Sequence, residues 1–136
     1  MKIKLMLLLI AILAMTACKK ENSLSSSEIL TSQDWRITSR ITDGLEDLDD
    51  CEKDDKITFS SEGIYNVAPG DLGCNIELDT GLPWSLNSEE TILTVGGFIF
   101  EMNMNILSLT EDEMVLEGEV EFFGDVTNAK LTFAPF

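Results

Sequence analysis

From Trp35 to the C-terminus, apolar and polar residues alternate with a period of two, the mark of strands with one buried face. In "DWRITSRIT" the alternation sets Trp35, Ile37 and Ile41 against Arg36, Thr38 and Arg40. "DKITFS" pairs Ile57 with Phe59, "GIYNVA" pairs Tyr65 with Val67, and the "SSEG" between them reads as a turn. "PWSLN" offers Trp84 and Leu86, and "TILTV" offers Leu93 and Val95. In "TVGGFIF", Gly96-Gly97 predicts a tight hairpin turn, because glycine supplies the positive φ such turns need. Phe98, Phe100, Met102, Met104 and Ile106 then share one face. "EMVLEGEVEFF" sets Met114, Leu116, Gly118, Val120 and Phe122 against Glu117, Glu119 and Glu121, and Ala129, Leu131 and Phe133 close the series. The fold class is all-β, with about eight antiparallel strands in simple succession. Such a chain hides its edges by curling into an up-and-down barrel or a strongly curved sheet. Ser27 to Gln33 predicts a turn or two of helix capped by serine.

The residues before this pattern are of another kind. Lys2 and Lys4 precede an apolar run from Leu5 to Met15, too short to span a membrane, which reads as a secretory signal peptide. The run ends in Ala14-Met15-Thr16-Ala17-Cys18, which resembles the lipobox of bacterial lipoproteins, where the cysteine is lipidated and becomes the mature N-terminus. The expected organisation is a signal peptide over 1–17, a flexible serine-rich tether over 18–28 and one β domain over 29–136. A tether of this length spans about 15 to 20 Å. The implied location is the bacterial cell envelope, lipid-anchored to a membrane on the periplasmic side or at the cell surface. The formal charge of the whole chain is −16, and it becomes −18 when Lys2 and Lys4 leave with residues 1–17. Such a charge argues against nucleic acid and favours cations or basic proteins as partners.

Three cysteines are present. With Cys18 carrying lipid, Cys51 and Cys74 remain in an oxidising compartment, where pairing is the default. A zinc site is not expected, since the chain has no histidine and no further free thiol. Around Cys51 the stretch "DDCEKDD" gathers five acids and one lysine. It lacks the glycine and the distal glutamate of an EF-hand. A hard cation held by Asp47, Asp49, Asp50 and Asp55 is one reading, and bait for a basic partner is another. The favoured reading is an acidic, solvated loop pinned by the bridge, with Asp54 or Asp55 bonding backbone amides. No metal or other cofactor is expected.

Several of these pieces occur together in a recognisable order. A tryptophan strand precedes "DDCEKDDKITFSSEGIY", then come Cys74, "GLPWSL", and "LTVGGFIFEM" leading to "LSLTEDEMVL". This order resembles the lipocalin-like domain of Bacteroidetes envelope lipoproteins, over roughly Leu30 to Leu116. Cys51, Asp54 and Asp55 match its "CxxDD" element; Phe59, Gly63 and Tyr65 match its hairpin; Cys74 matches its second cysteine. Gly81 and Trp84 are separated by two residues, Leu82 and Pro83, where the family has one. The resemblance implies a calycin-like barrel, a lipid anchor and a Cys51–Cys74 bridge, and it implies no activity.

Catalysis has little to stand on. Without histidine there is no imidazole base and no Ser-His-Asp or Cys-His pair, so a non-catalytic protein is expected. In a barrel, the inner face could line a cavity for a small hydrophobic ligand; the candidates are Trp35, Phe59, Tyr65, Trp84, Phe98, Phe100, Met102 and Met104. The competing and favoured packing is that these side chains meet and fill the interior. Two functions follow. One is an envelope lipoprotein binding a hydrophobic ligand in the barrel. The other is an acidic interaction or inhibitor module for a basic partner, such as a lysozyme-like enzyme.

Overall fold

The computed structural model describes residues 23–74, 81–97 and 99–136. The expected signal peptide, residues 18–22 of the tether with Cys18, and Phe98 lie outside the described residues.

Helix α1 (Ser26–Thr31) begins one residue before the predicted Ser27 and stops two short of Gln33. Ser25 caps it: its hydroxyl accepts from the Glu28 amide at 3.2 Å, and Glu28 accepts from the Ser25 amide at 2.8 Å. This reciprocal box satisfies two helix-end donors that would otherwise need water.

Among the described residues nine strands follow: β1 (Trp35–Thr42), β2 (Leu45–Glu46), β3 (Lys56–Phe59), β4 (Ile64–Ala68), β5 (Leu82–Leu86), β6 (Ile92–Gly96), β7 (Phe100–Leu109), β8 (Met114–Phe122) and β9 (Asp125–Pro135). Each pairs antiparallel with its neighbour, and β9 returns to pair with β1 from Trp35↔Pro135 to Thr42↔Ala129. Eight strands therefore close into a barrel, with β2 an extra hairpin arm on β1. Closure leaves no long unpaired edge, the outcome the alternating pattern called for. The seam between β1 and β3 is thin, with one paired position, Trp35↔Ile57. Between these strands the chain makes β2 and a 3-10 turn (Asp50–Glu52).

The up-and-down course gives the barrel two unlike ends. At one, α1 lays Leu30 against Trp35, and both are fully buried. The Trp35 indole donates to the Leu30 carbonyl at 3.2 Å, satisfying an acceptor in the last turn of the helix. Ser26 donates through its amide to the Glu90 carboxylate at 2.9 Å, and Gln33 donates to the Glu111 carbonyl at 2.7 Å, so the helix segment is tied to two turns beneath the barrel. Phe59, Leu93, Met104, Met114 and Leu116 fill the interior above it. The other end carries the loop with Cys74, the β6–β7 turn and the β8–β9 turn.

Two local expectations are corrected. The alternation in β1 does not run through: a register shift between Ile37 and Ser39 inserts a bulge against β9. Beyond it the faces exchange, because one extra residue in a period-two pattern turns every later side chain over. Arg40 and Thr42 then stand opposite Leu131 and Ala129 and face inward, while Ile41 is left exposed. The β6–β7 turn also lies beyond Gly96-Gly97, since Gly96 already pairs with Glu101 and the Gly97 amide donates to the Phe100 carbonyl at 2.8 Å. Gly96 serves close approach: at φ 128° a Cβ there would collide with the Phe100 carbonyl oxygen.

Candidate functional site

The open end holds a cavity of about 700 Å³. Its inner wall comes from β7, β8 and β9: Phe100, Val120, Phe122, Thr127 and Ala129, with Asp125 at the top. These are inward positions of strands whose lower residues fill the core. The interior is thus packed below and open above, so each of the two readings of the apolar stripe describes one half of the barrel.

The facing wall is the acidic stretch. Asp47, Asp49, Glu52 and Asp55 line it with the two cysteines, which form a disulfide with Cα atoms 5.3 Å apart. The loop beyond is fixed by carboxylates: Asp55 accepts from the Gly70 amide and Asp54 from the Leu72 amide, each at 3.0 Å. The second Asp54 oxygen is buried without a partner among the described residues. Gly70 leaves room for this packing, since a Cβ there would overlap the Asp54 carboxylate. Asp50 points away and pairs with Lys53 at 2.6 Å. No cluster of ligating side chains suited to a metal ion occurs among the described residues.

Arg40, turned inward by the bulge, is the one cationic residue in this lining. Four of the five N–H groups of its guanidinium are engaged with the wall. It donates to both Glu52 oxygens at 2.7 and 2.9 Å, to the Asp47 carboxylate at 2.9 Å and to the Asp47 carbonyl at 2.8 Å. Desolvation lowers the pKa of Arg40, but Glu52 and Asp47 outweigh it and hold the group above its ordinary value. For Asp47, desolvation opposes the charge, yet hydrogen bonds from Arg40 and Thr42 and the Arg40 charge hold the carboxyl below its ordinary value. This planar fork ties β1 to the 3-10 turn.

The mouth has an apolar rim. Leu45, Leu72, Ile99, Phe122, Phe123 and Val126 are all exposed at this end, Leu45 at 73% and Phe123 at 71%. Phe122 and Phe123 pack edge to face at 4.7 Å, and the Phe123 amide donates to the Ile99 carbonyl at 2.9 Å, joining the two hairpin tips.

Of the pocket candidates read from the sequence, the structure places Phe100 in the cavity wall. Trp35, Phe59, Tyr65, Met102 and Met104 are core residues. Trp84 is half-buried, edge-on to Phe59 at 5.6 Å, with its indole donating to the Ser60 carbonyl at 3.0 Å. Burial, with the Asp55 charge, holds the Tyr65 phenol above its ordinary pKa. Val120, Phe122, Thr127 and Ala129 escaped the sequence reading as cavity residues. For Thr127 and Ala129 the sequence held a trend alone: toward the mouth the inward positions of β9 shrink from Phe133 and Leu131 to Ala129 and Thr127, which does not say whether facing strands fill the space. Arg40 carried no such signal, because nothing in "RITSRIT" marks the bulge.

A family model described as a lipocalin-like domain matches residues 32–116. No curated protein matches the chain.

Proposed function

The chain belongs to the lipocalin-like domain family, and from that premise we propose that it is a non-catalytic binding protein of the cell envelope, holding a small, largely apolar ligand in the open half of its barrel. The observation that carries this reading is the cavity of about 700 Å³, continuous with the packed core and lined on one side by Phe100, Val120, Phe122 and Ala129. That volume falls within the range of about 300 to 1,000 Å³ typical of small-molecule sites. Anchoring through a lipid on Cys18 is part of the proposal, supported by the apolar run and the small residues before that cysteine. The described chain enters through α1 beneath the closed end. A short tether from Cys18 would therefore hold the closed end toward the membrane and turn the mouth away from it.

The test is titration of residues 18–136, carrying Cys18→Ser, with N-phenyl-1-naphthylamine, a neutral dye that brightens when desolvated. One saturable site per chain is expected, and Thr127→Trp, which places an indole in the cavity, should remove it. Absence of saturable brightening, or brightening that Thr127→Trp leaves intact, would count against a ligand in the barrel.

The second reading, docking of a basic protein, is favoured by the carboxylates and the apolar rim standing at the same end. Complex formation with a lysozyme-like enzyme that collapses with added salt would support it.

A further inference from the structure

The cavity is not electrically neutral, and the imbalance bears on what enters it. Five carboxylates line it, those of Asp47, Asp49, Glu52, Asp55 and Asp125, against the single guanidinium of Arg40. Asp47 and Glu52 are spent on Arg40. Asp49, Asp55 and Asp125 make no ion pair among the described residues, and Asp55 meets only the Gly70 amide. The side chain that would ordinarily receive a ligand's carboxylate is thus occupied, and what surrounds it is negative. A carboxylate entering here would meet like charge and would have to break the Arg40 fork to find a partner. An organic cation would meet unpaired carboxylates across from an apolar wall; Asp49 and Asp125 are exposed and Asp55 is half-buried, so the attraction per charge is strongest at Asp55.

We infer that the ligand is an amphiphile with a cationic end: an apolar body against Phe100, Val120, Phe122 and Ala129, and an ammonium-type group facing Asp49, Asp55 and Asp125. The inference rests on the ligand reading above and narrows its chemical class. The carboxylates do not form the site; the cavity does, and they set which ligands it accepts. The apolar rim is consistent with this division, since an amphiphile entering tail-first crosses Phe122, Phe123 and Val126 before its head reaches the acids.

The experiment compares three ten-carbon probes that differ in the head alone: decyltrimethylammonium, decanol and decanoate. Each displaces N-phenyl-1-naphthylamine from residues 18–136 carrying Cys18→Ser, at low salt, neutral pH and below its micelle concentration. The expected order is cation, then alcohol, then carboxylate, with the cation at least about tenfold tighter than the carboxylate. Raising the salt to about 0.5 M should narrow that ratio, because screening at that strength reaches within a few ångströms. Asp49→Asn with Asp125→Asn should narrow it at least about threefold. Because the whole surface is acidic, adsorption of the cation outside the barrel is checked with Thr127→Trp, which should abolish cation binding measured directly by calorimetry. Decanoate binding as tightly as the cation overturns the inference and leaves the ligand reading standing. Cation binding that survives Thr127→Trp overturns it as surface adsorption. If none of the three probes, nor the dye, binds, both fail together.

Discussion

Opening the Cys51–Cys74 bridge separates two roles of the acidic loop around Cys51: constraining the chain and walling the cavity. The bridge joins residues 23 apart in sequence. In the chain-entropy model a loop of that size restricts the denatured ensemble by about 3 to 4 kcal/mol at room temperature. The bonds from Asp54 and Asp55 to the Leu72 and Gly70 amides remain in the folded state, but they place no limit on the unfolded chain. We therefore predict that Cys51→Ser with Cys74→Ser lowers stability by about 3 to 4 kcal/mol. With a urea m-value of about 1 to 3 kcal/mol/M, the unfolding midpoint should fall by roughly 1 to 4 M. A domain of this size holds about 5 to 15 kcal/mol, so the barrel should still fold. The same variant should bind N-phenyl-1-naphthylamine several-fold more weakly, since the wall bearing Asp49, Glu52 and Asp55 loses its covalent tie. A stability loss under about 1 kcal/mol would refute the entropy argument. A full stability loss with unchanged dye affinity would refute the wall argument.

Three further outcomes follow from the same structure. Trp35→Phe removes the indole donor from the buried Leu30 carbonyl and leaves unfilled volume beneath the barrel, so urea unfolding should report a loss of about 2 to 4 kcal/mol. Asp47 is held below its ordinary pKa, so the unfolded state binds its proton more readily; its contribution is complete above the unfolded carboxylate range near about 4 and is lost as pH falls through the lower folded value. Urea midpoints should accordingly rank wild type above Asp47→Asn at pH 7 and show the gap closing as pH falls through the folded value of Asp47; a gap that persists in acid would exclude the charged pair with Arg40 as its source. Under the proposed anchoring, Cys18→Ala should abolish incorporation of labelled palmitate and release the protein from the membrane fraction, and retained label would remove Cys18 as the lipidation site.

How far the sequence speaks depends on which end of the barrel is asked. The closed end was legible because its residues are large and regularly spaced: Trp35, Phe59, Met104, Met114 and Leu116 sit where a period of two puts them inside. The acidic stretch around Cys51 was legible as a loop, with Asp54 or Asp55 bonding amides, because a bridged acidic turn leaves few other uses for carboxylates next to a strand start. The cavity was not. Its shape depends on small residues, and Ala129 or Thr127 reads equally as a filled or an unfilled position until the facing strand is known. Arg40 was set on the outer face with Arg36 and Thr38, and one inserted residue brought it inside. A bulge adds no residue type of its own, so hydropathy does not announce it.

The division between the two ends also limits what family membership says about the ligand. The residues matched to the lipocalin-like family run from 32 to 116. They hold Trp35, the β3–β4 hairpin, Trp84 and the bridge, while β9, whose pairing with β1 closes the barrel, lies beyond them. Yet Val120, Phe122, Asp125, Thr127 and Ala129, most of the inner wall, lie beyond residue 116. Along β9 the inward side chains run from Phe133 through Leu131 to Ala129, Thr127 and Asp125, large where the barrel is shut and small or charged where it opens. A taper of this kind in the final strands makes an eight-stranded barrel hollow at one end without loosening the other. Most of the apolar wall therefore lies outside the matched stretch, while the acids that face it, Asp47, Asp49, Glu52 and Asp55, lie inside it. Substitutions at Val120, Thr127 and Ala129 should alter which probe binds while leaving the unfolding transition nearly in place, whereas substitutions at Trp35 or Met104 should do the reverse.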